Sequence, residues 1–391
     1  MKRVVGTFFL RFLLVVITLA TVTVAQTGTQ YVLTNDDLAF PFLTGVSFFS
    51  IGTNGLPVYQ QQVQTGTFGV GGGYFGMNRV AVLDNSSQQC AFATEARNGY
   101  VVGVAVDALT VGGSTAGSST DSGSTNGVGL AVNGSYVYAS YSTSNTIGTF
   151  SVQAGCSTTF LNDTSAIGVL GGFINGMAIH GNMLIASYTD GSIESFNISS
   201  GTPVSNGDLQ LSTATAMSQG AAYANGIDIT SDGHYALFGD TSTALVIEVS
   251  DISSGKLTQT KAFKFPSGIS SSDIILSPDE SILYVVNTQG ATVSALFFDK
   301  ASGKLFPGCI SPRLAGLSQN WSYLGSPALM SLSGNGGGVY VAEFGGVSGI
   351  ATVPLTVTGR TCTLQEASGS PTIDPNTPGL LSITNFPPRS F

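Results

Sequence analysis

Charge is scarce in this chain. Asp, Glu, Lys and Arg make up 9% of its 391 residues, and only two residues are histidine. So little histidine restricts general-base chemistry at neutral pH to carboxylates or tyrosines with shifted proton affinity. Low charge does not mean disorder here, because 42% of the residues are hydrophobic and β-branched and aromatic types abound. Long amphipathic helical patterns are missing, which points to an all-β chain. No G-x-S-x-G, H-E-x-x-H, Walker or EF-hand pattern occurs, so the usual starting points for serine hydrolase, metalloprotease and nucleotide chemistry are absent. The four cysteines contain no C-x-x-C, and zinc or thioredoxin-type chemistry therefore has no support.

What is present is a repeat. Runs of Val, Ile, Thr, Tyr and Phe alternate with Gly, Ser, Asn and Asp clusters, and the chain holds 51 glycines. The fifth unit shows the pattern whole: Asn225–Thr230, a turn at Ser231-Asp232-Gly233, His234–Asp240, Ala244–Ser250 and Lys256–Phe265. Aligning the units on the last residue of a Tyr-Val-x-x strand gives Thr34, Glu95, Tyr141, Tyr188, Asp240, Asn287 and Glu343, spaced 46 to 61 residues apart. Four-stranded units at this period predict a β-propeller of seven antiparallel blades. The first unit opens at Tyr31 without an innermost strand. Leu380–Asn385 can supply it, pairing the two ends of the chain and closing the ring.

Residues 1–25 read as a secretory signal. Lys2, Arg3 and Arg11 provide its positive end, Phe12 to Ala20 its apolar stretch, and Val22-Thr23-Val24-Ala25 the small residues before Gln26. The alternative is an uncleaved anchor, since Leu13–Ala25 follows Arg11 closely, but the apolar run is shorter than the roughly 20 residues of a spanning helix, which favours cleavage. Cleavage leaves one domain, residues 26–391, in a secreted or periplasmic location. Losing three basic residues takes the net charge from -9 to -9 - 3 = -12. An acidic exported protein argues against nucleic acid and anionic membranes as partners. No other stretch could span a membrane, and a monomer is expected. Four exported cysteines suit two disulfides. Cys90 with Cys156 and Cys309 with Cys362 lie on neighbouring units, which favours those pairings over cross-ring ones.

Some patterns carry no chemistry. Gly71-Gly72-Gly73-Tyr74-Phe75-Gly76 satisfies G-x-G-x-x-G, but no helix pattern follows to face a pyrophosphate, so it reads as a connecting loop. Gly112 to Gly127 is a Gly/Ser/Thr/Asp tract and reads as a surface loop. His180 and His234 fall near the turns between first and second strands, away from the aligned ring of strand ends.

Leu276-Ser277-Pro278-Asp279-Glu280-Ser281-Ile282-Leu283-Tyr284-Val285-Val286-Asn287 resembles the S-P-D-G-x-x-L-Y-V-x-N repeat of the lactonase-type seven-bladed propellers. These are the 6-phosphogluconolactonase-like and carboxymuconate-cyclase-like proteins and their Tyr-Val-Thr-Asn repeat relatives. Asp299–Leu305 and Asp251–Leu257 look like that family's third-to-fourth-strand turn. The resemblance implies histidines after proline at blade starts, with arginine and glutamate completing a site. Here those places read Asn126-Gly127, Asn175-Gly176, Asn225-Gly226, Ser272-Asp273 and Ser326-Pro327. Arg79, Glu95 and Glu343 are the charged residues that can stand in for such a constellation. The Asn-Gly pairs also resemble gluconolactonase-type propellers, which bind a divalent cation. Asn175, Asn225, Asp240 and Glu343 would offer calcium an oxygen donor set; the alternative is that Asn-Gly serves only turn geometry.

Two functions follow. In one, the protein is a scaffold whose channel mouth, lined by Asn35, Glu95, Tyr141, Tyr188, Asp240, Asn287 and Glu343, holds a sugar-like ligand, a cation or a protein. In the other, it is a lactonase or muconate-cyclase-like enzyme acting on a small ring compound. There Arg79 steadies an oxyanion and Glu95 or Glu343 moves a proton. Fold alone cannot separate them.

Overall fold

A computed structural model describes residues 30–36, 44–65, 80–95, 99–116, 127–211, 226–239, 243–251, 255–264, 271–287, 290–315, 326–333, 336–344, 349–375, 382–386 and 388. The fold is an all-β propeller. Among the described residues the sole helical element is the three-residue 3-10 turn Ala154–Cys156. No helix there is long and apolar enough to cross a membrane.

The strands form seven sheets, each ordered from an innermost to an outermost strand. Sheet 1 runs Ser382–Phe386, Tyr31–Asp36, Gly45–Ile51, Pro57–Gln64. Sheet 2 runs Val80–Asp84, Gln89–Glu95, Tyr100–Ala105, Thr110–Ala116. Sheet 3 is Gly127–Asn133, Tyr136–Tyr141, Thr146–Val152, Thr158–Ser165, and sheet 4 is Ile174–His180, Met183–Tyr188, Ser192–Asn197, Val204–Gln210. Sheet 5 comprises Ile227–Ile229, Tyr235–Gly239, Thr243–Asp251 and Lys256–Lys264; sheet 6 comprises Ser271–Leu276, Ile282–Asn287, Thr292–Asp299 and Lys304–Ile310. Sheet 7 is Ser326–Leu332, Gly338–Phe344, Gly349–Thr358 and Thr361–Leu364. It departs from four strands, because the two-residue strand Thr372–Ile373 pairs with Gly349 and Ile350. Its outer edge is therefore shared between two short pieces of chain.

Burial explains the sequence pattern. Second strands are covered on both faces by neighbouring sheets, so Met183–Tyr188 and Ile282–Asn287 are buried at every position. That is why they read as continuous apolar runs rather than alternating ones. Outermost strands such as Val204–Gln210 face water and are polar. Each fully covered aromatic or aliphatic side chain contributes about 1.5–3 kcal/mol, and no single sheet could cover its own.

Tyrosines tie neighbours together. The hydroxyl of Tyr138 donates to the Gly201 carbonyl of sheet 4 at 3.0 Å. Tyr284 does the same to Gly336 of sheet 7 at 3.1 Å, and Tyr340 to Gly55 of sheet 1 at 2.9 Å. Gly201 lies at φ +86, and a Cβ there would meet the Tyr136 ring, so glycine is required at that turn.

The two ends of the chain meet in sheet 1. Tyr31–Asn35 pairs antiparallel with Ser382–Phe386, Leu33 lying opposite Thr384. The expected partner began at Leu380, and residues 380–381 lie outside those described. The expected loop from Gly112 is corrected in part: residues 112–116 belong to the outermost strand Thr110–Ala116, paired with Tyr100–Ala105. Residues 117–126, the Gly71–Gly76 motif and the segment 1–29 lie outside the described residues.

Disulfides join adjacent sheets. Cys90, on the second strand of sheet 2, bonds Cys156 of sheet 3, and both are buried. A Cβ on Gly103 would overlap the Cys156 carbonyl oxygen, so a glycine admits that turn. Cys309 bonds Cys362 across the outermost strands of sheets 6 and 7. Replacing Cys90 and Cys156 together by serine should lower unfolding stability by about 2–5 kcal/mol. Urea titration reads this directly, and an unchanged midpoint would contradict a stabilising bridge.

Candidate functional site

The second strands all end on one face of the ring, and the side chains there are polar but buried. A strand that enters between two neighbours cannot expose its last residues until the chain turns outward. Polar groups placed there must find partners or remain unsatisfied. What each finds divides the ring in two.

In sheets 1 to 4 the partners are structural. Asn35 Nδ2 donates to the Thr94 carbonyl of sheet 2 at 2.9 Å. Glu95 is buried, with Thr44 Oγ1 at 3.5 Å from its Oε1. The Tyr141 hydroxyl donates to the Gly99 carbonyl at 2.9 Å. Tyr188 donates to Glu194 Oε2 at 2.6 Å, and Ser205 Oγ lies 2.5 Å from the other oxygen of Glu194. Burial and then Glu194 push the Tyr188 hydroxyl well above its ordinary value. Tyr141 thus ties sheet 3 to sheet 2, and Tyr188 bonds within sheet 4.

Sheets 6 and 7 differ. Asn287 spends both amide hydrogens on Thr292 Oγ1 at 3.0 Å and Ser294 Oγ at 2.8 Å. Its Oδ1 is buried and accepts nothing from the described residues. Glu343 holds the equivalent place on sheet 7. It is 0% exposed, and neither carboxylate oxygen has a hydrogen-bond partner among the described residues. Burial raises its pKa to about 8, and the charge of Glu366 adds to the effect. Glu366 is itself pinned, accepting from Ala315 N at 2.6 Å and Ser370 Oγ at 2.7 Å.

Sequence reasoning missed Asp36. It is fully buried and accepts from Ser47 Oγ at 2.5 Å, Gln62 Nε2 at 2.6 Å and Thr34 Oγ1 at 3.0 Å. Burial, then the nearby Asp374, carry its pKa to about 8 despite those bonds. The run Asn35-Asp36-Asp37 at a strand end was the available signal. Asp228 and Asp273 were also missed. On innermost strands, Asp228 Oδ2 accepts from Leu276 N at 2.7 Å and Asp273 Oδ2 from Met330 N at 2.9 Å, each reaching the next sheet. Burial lifts Asp273 to about 7, with Asp228 adding to it.

Several expected residues lie outside the described ones: Arg79, Asn225 and Asp240 entirely, and Asn175 for its side chain. The four-residue calcium set is therefore represented by Glu343 alone. No group of three or more His, Cys, Asp or Glu that could hold a metal occurs among the described residues. His180 ends the innermost strand of sheet 4, and exposed His234 packs on Tyr235 with ring centroids 4.4 Å apart. A cavity of about 360 Å³ lies on the opposite, turn face between sheets 1 and 7, lined by Asn54, Gly55, Ser333, Tyr340 and Thr352 among others. It contains none of the candidate residues.

Comparison with known proteins agrees with this architecture. The sequence profile of the family described as "Lactonase, 7-bladed beta-propeller" matches residues 114–375. The chain belongs to this family. Among solved structures, the periplasmic gluconolactonase of Pseudomonas aeruginosa superposes with a TM-score of 0.69 at 12% identity, covering 91% of this chain and 99% of the other. A proposed 6-phosphogluconolactonase from Bacteroides fragilis gives 0.69 at 14% identity, covering 92% and 99%. A Desulfotomaculum acetoxidans protein described as functionally unknown gives 0.65 at 15%, covering 92% and 100%. At such identities the likeness establishes the fold. A search of curated proteins finds no match.

The raised carboxyls make stability depend on pH. Asp36, Glu343 and Asp273 bind protons more tightly folded than unfolded, where their ordinary values are 3.8, 4.5 and 3.8. Their contribution is full below about pH 4 and is lost as pH rises through about 7 to about 8. Urea midpoints should fall between about pH 5 and about pH 8.5, and Glu343→Gln should flatten part of that fall. A wild-type midpoint rising over this interval would contradict the assignment.

Proposed function

We propose that this member of the lactonase family hydrolyses a small sugar lactone at the face where the second strands end, with Glu343 moving the proton. The observation that carries the proposal is Glu343 itself: a fully buried carboxyl without a hydrogen-bond partner among the described residues. Native proteins rarely leave such a group unmet. The orphaned Asn287 Oδ1 on the adjacent sheet repeats the signal. Two unmet acceptors on neighbouring sheets suit a ligand rich in hydroxyl donors.

The chemistry is that of a carboxyl held protonated near neutral pH. Water adds to the lactone carbonyl and releases its second proton to solvent, the ring C–O bond breaks as Glu343 gives its proton to the departing ring oxygen, and Glu343 is then reprotonated from solvent. A water-poor setting strengthens each polar contact to the transition state. In this reading the site is framed by seven blades, the ring being closed where Tyr31–Asn35 meets Ser382–Phe386. Export fits the basic-then-apolar residues 1–25 and the two disulfides.

A second reading keeps the ligand and drops the reaction. The scarcity of histidine and the use of Tyr141 and Tyr188 in structural bonds favour a scaffold that holds a sugar-like molecule without turnover. Calcium belongs with that reading, since Asn and carboxylate oxygens are the donors it takes.

Gluconolactone hydrolysis, measured with and without calcium, separates the two. The wild-type protein should turn the lactone over, with kcat/KM falling as pH rises past about 8 as Glu343 loses its proton. Glu343→Gln should lose at least about 100-fold. Full activity in that variant would remove Glu343 from the reaction. Gluconolactone binding without turnover in the wild type would leave the scaffold reading in place.

A further inference from the structure

The sequence has no lysine or arginine between Arg97 and Lys256, while eleven of its 22 acidic residues lie there. That stretch carries a charge of -11, against -9 for the whole chain; the rest sums to -9 + 11 = +2, or +2 - 3 = -1 once Lys2, Arg3 and Arg11 leave with the signal segment. In the fold the stretch is contiguous. It comprises all of sheets 3 and 4 and the inner three strands of sheet 5, together with the outer part of sheet 2. Eleven acidic residues lie elsewhere but are nearly balanced by lysine and arginine, so the net negative charge of the protein lies almost wholly on one side of the ring.

An apolar projection stands in the middle of that side. The connection from sheet 3 to sheet 4, residues 166–172, lifts Ile167, Val169 and Leu170 into solvent, and Leu170 is 71% exposed. Single exposed apolar residues need no explanation, but three within four positions on a fixed backbone do. The backbone is fixed from below. Asp190 Oδ2 accepts from Leu170 N at 2.8 Å and Gly172 N at 3.0 Å, and Ser192 Oγ accepts from Val169 N at 3.1 Å. Gly171 N closes the turn onto the Gly168 carbonyl at 2.8 Å. A Cβ on Gly168 or Gly172 would strike the Asp190 carboxylate. Burial opposes the charge on Asp190, yet bonds from Ser192, Gly172 and Leu170 hold it below its ordinary value. A loop held this way loses little freedom on binding.

The surroundings extend both features. Leu161 and Val204, 48% and 58% exposed, stand on the outermost strands of sheets 3 and 4. Asn162 Nδ2 to Thr202 Oγ1, at 2.7 Å, joins those sheets along the same seam. Asp208 is exposed on the outermost strand of sheet 4, and Asp163 is half-buried opposite on sheet 3.

We infer that the seam between sheets 3 and 4 is a docking surface for a basic protein, whose apolar cleft receives Ile167, Val169 and Leu170 while its lysines and arginines face the acidic side of the ring. The charge steers and selects the partner; the apolar plug anchors it in one place. An anionic lipid surface is disfavoured by the same charge. The inference is independent of any chemistry at Glu343.

The full chain can be tested with a synthetic peptide of alternating lysine and leucine, read by fluorescence anisotropy, with a glutamate–leucine peptide as control. The basic peptide should bind and the acidic one should not. Raising salt from about 50 to about 300 mM should weaken binding. The double variant Val169→Ser/Leu170→Ser should weaken it roughly tenfold while melting like the wild type, because both side chains are exposed. Asp208→Lys should weaken it separately and reduce its salt dependence. Wild-type affinity in the double variant, binding indifferent to peptide charge, or binding of the wild type to phosphatidylcholine vesicles would each overturn the inference.

Discussion

The structure depends on each sheet being finished by its neighbour. A second strand such as Ile282–Asn287 is apolar throughout and has no side that faces water within its own sheet. It becomes stable when the sheets beside it cover both faces and a tyrosine hydroxyl reaches across to a glycine carbonyl, as Tyr284 does to Gly336 and Tyr340 to Gly55. That dependence runs around the ring and accounts for the disulfides between sheets 2 and 3 and between sheets 6 and 7. It also accounts for the pairing of the two ends of the chain in sheet 1, which gives the inner edge of Tyr31–Asp36 a partner.

The same constraint makes the candidate site. Covering a strand to its last residue buries whatever polar side chain stands there, and a desolvated carboxyl prefers its proton. Around most of the ring the cost is offset by local bonds, with Tyr141, Tyr188 and Asn35 each finding a backbone or carboxylate partner. On sheets 6 and 7, Asn287 Oδ1 and both Glu343 oxygens accept no hydrogen bond from the described residues. Glu366 and Asp374 both come from the segment after the shortened outer strand of sheet 7, and they add negative charge near Glu343 and Asp36 respectively. The irregular sheet is thus the one beside which proton affinity is most disturbed.

Much of the fold was legible because second strands and turns are local. In the fifth unit the expected His234–Asp240 and Lys256–Phe265 became Tyr235–Gly239 and Lys256–Lys264. Glu343 was legible as well, as a charge in a run that is otherwise apolar. The extra strand Thr372–Ile373 was not, since two residues carry no periodicity. Nor were the inner-strand bonds of Asp228 and Asp273, whose partners lie 48 and 57 residues away. The composition of Gly112–Ala116 suggested a loop, but pairing with Tyr100–Ala105 overrides propensity at an outer edge. Asp36 was hidden because alignment of strand ends stopped at Thr34 and the channel mouth was assigned to Asn35 beside it.

The central claim is that Glu343 is protonated at neutral pH because it is buried between sheets and meets no hydrogen-bond partner among the described residues. Infrared difference spectroscopy between the wild type and Glu343→Gln at pH 7 reads this most directly. The account predicts a protonated-carboxyl stretch in the wild type that the variant lacks and that fades as pH rises past about 8. A difference spectrum showing only an ionised carboxylate at pH 7 would contradict it.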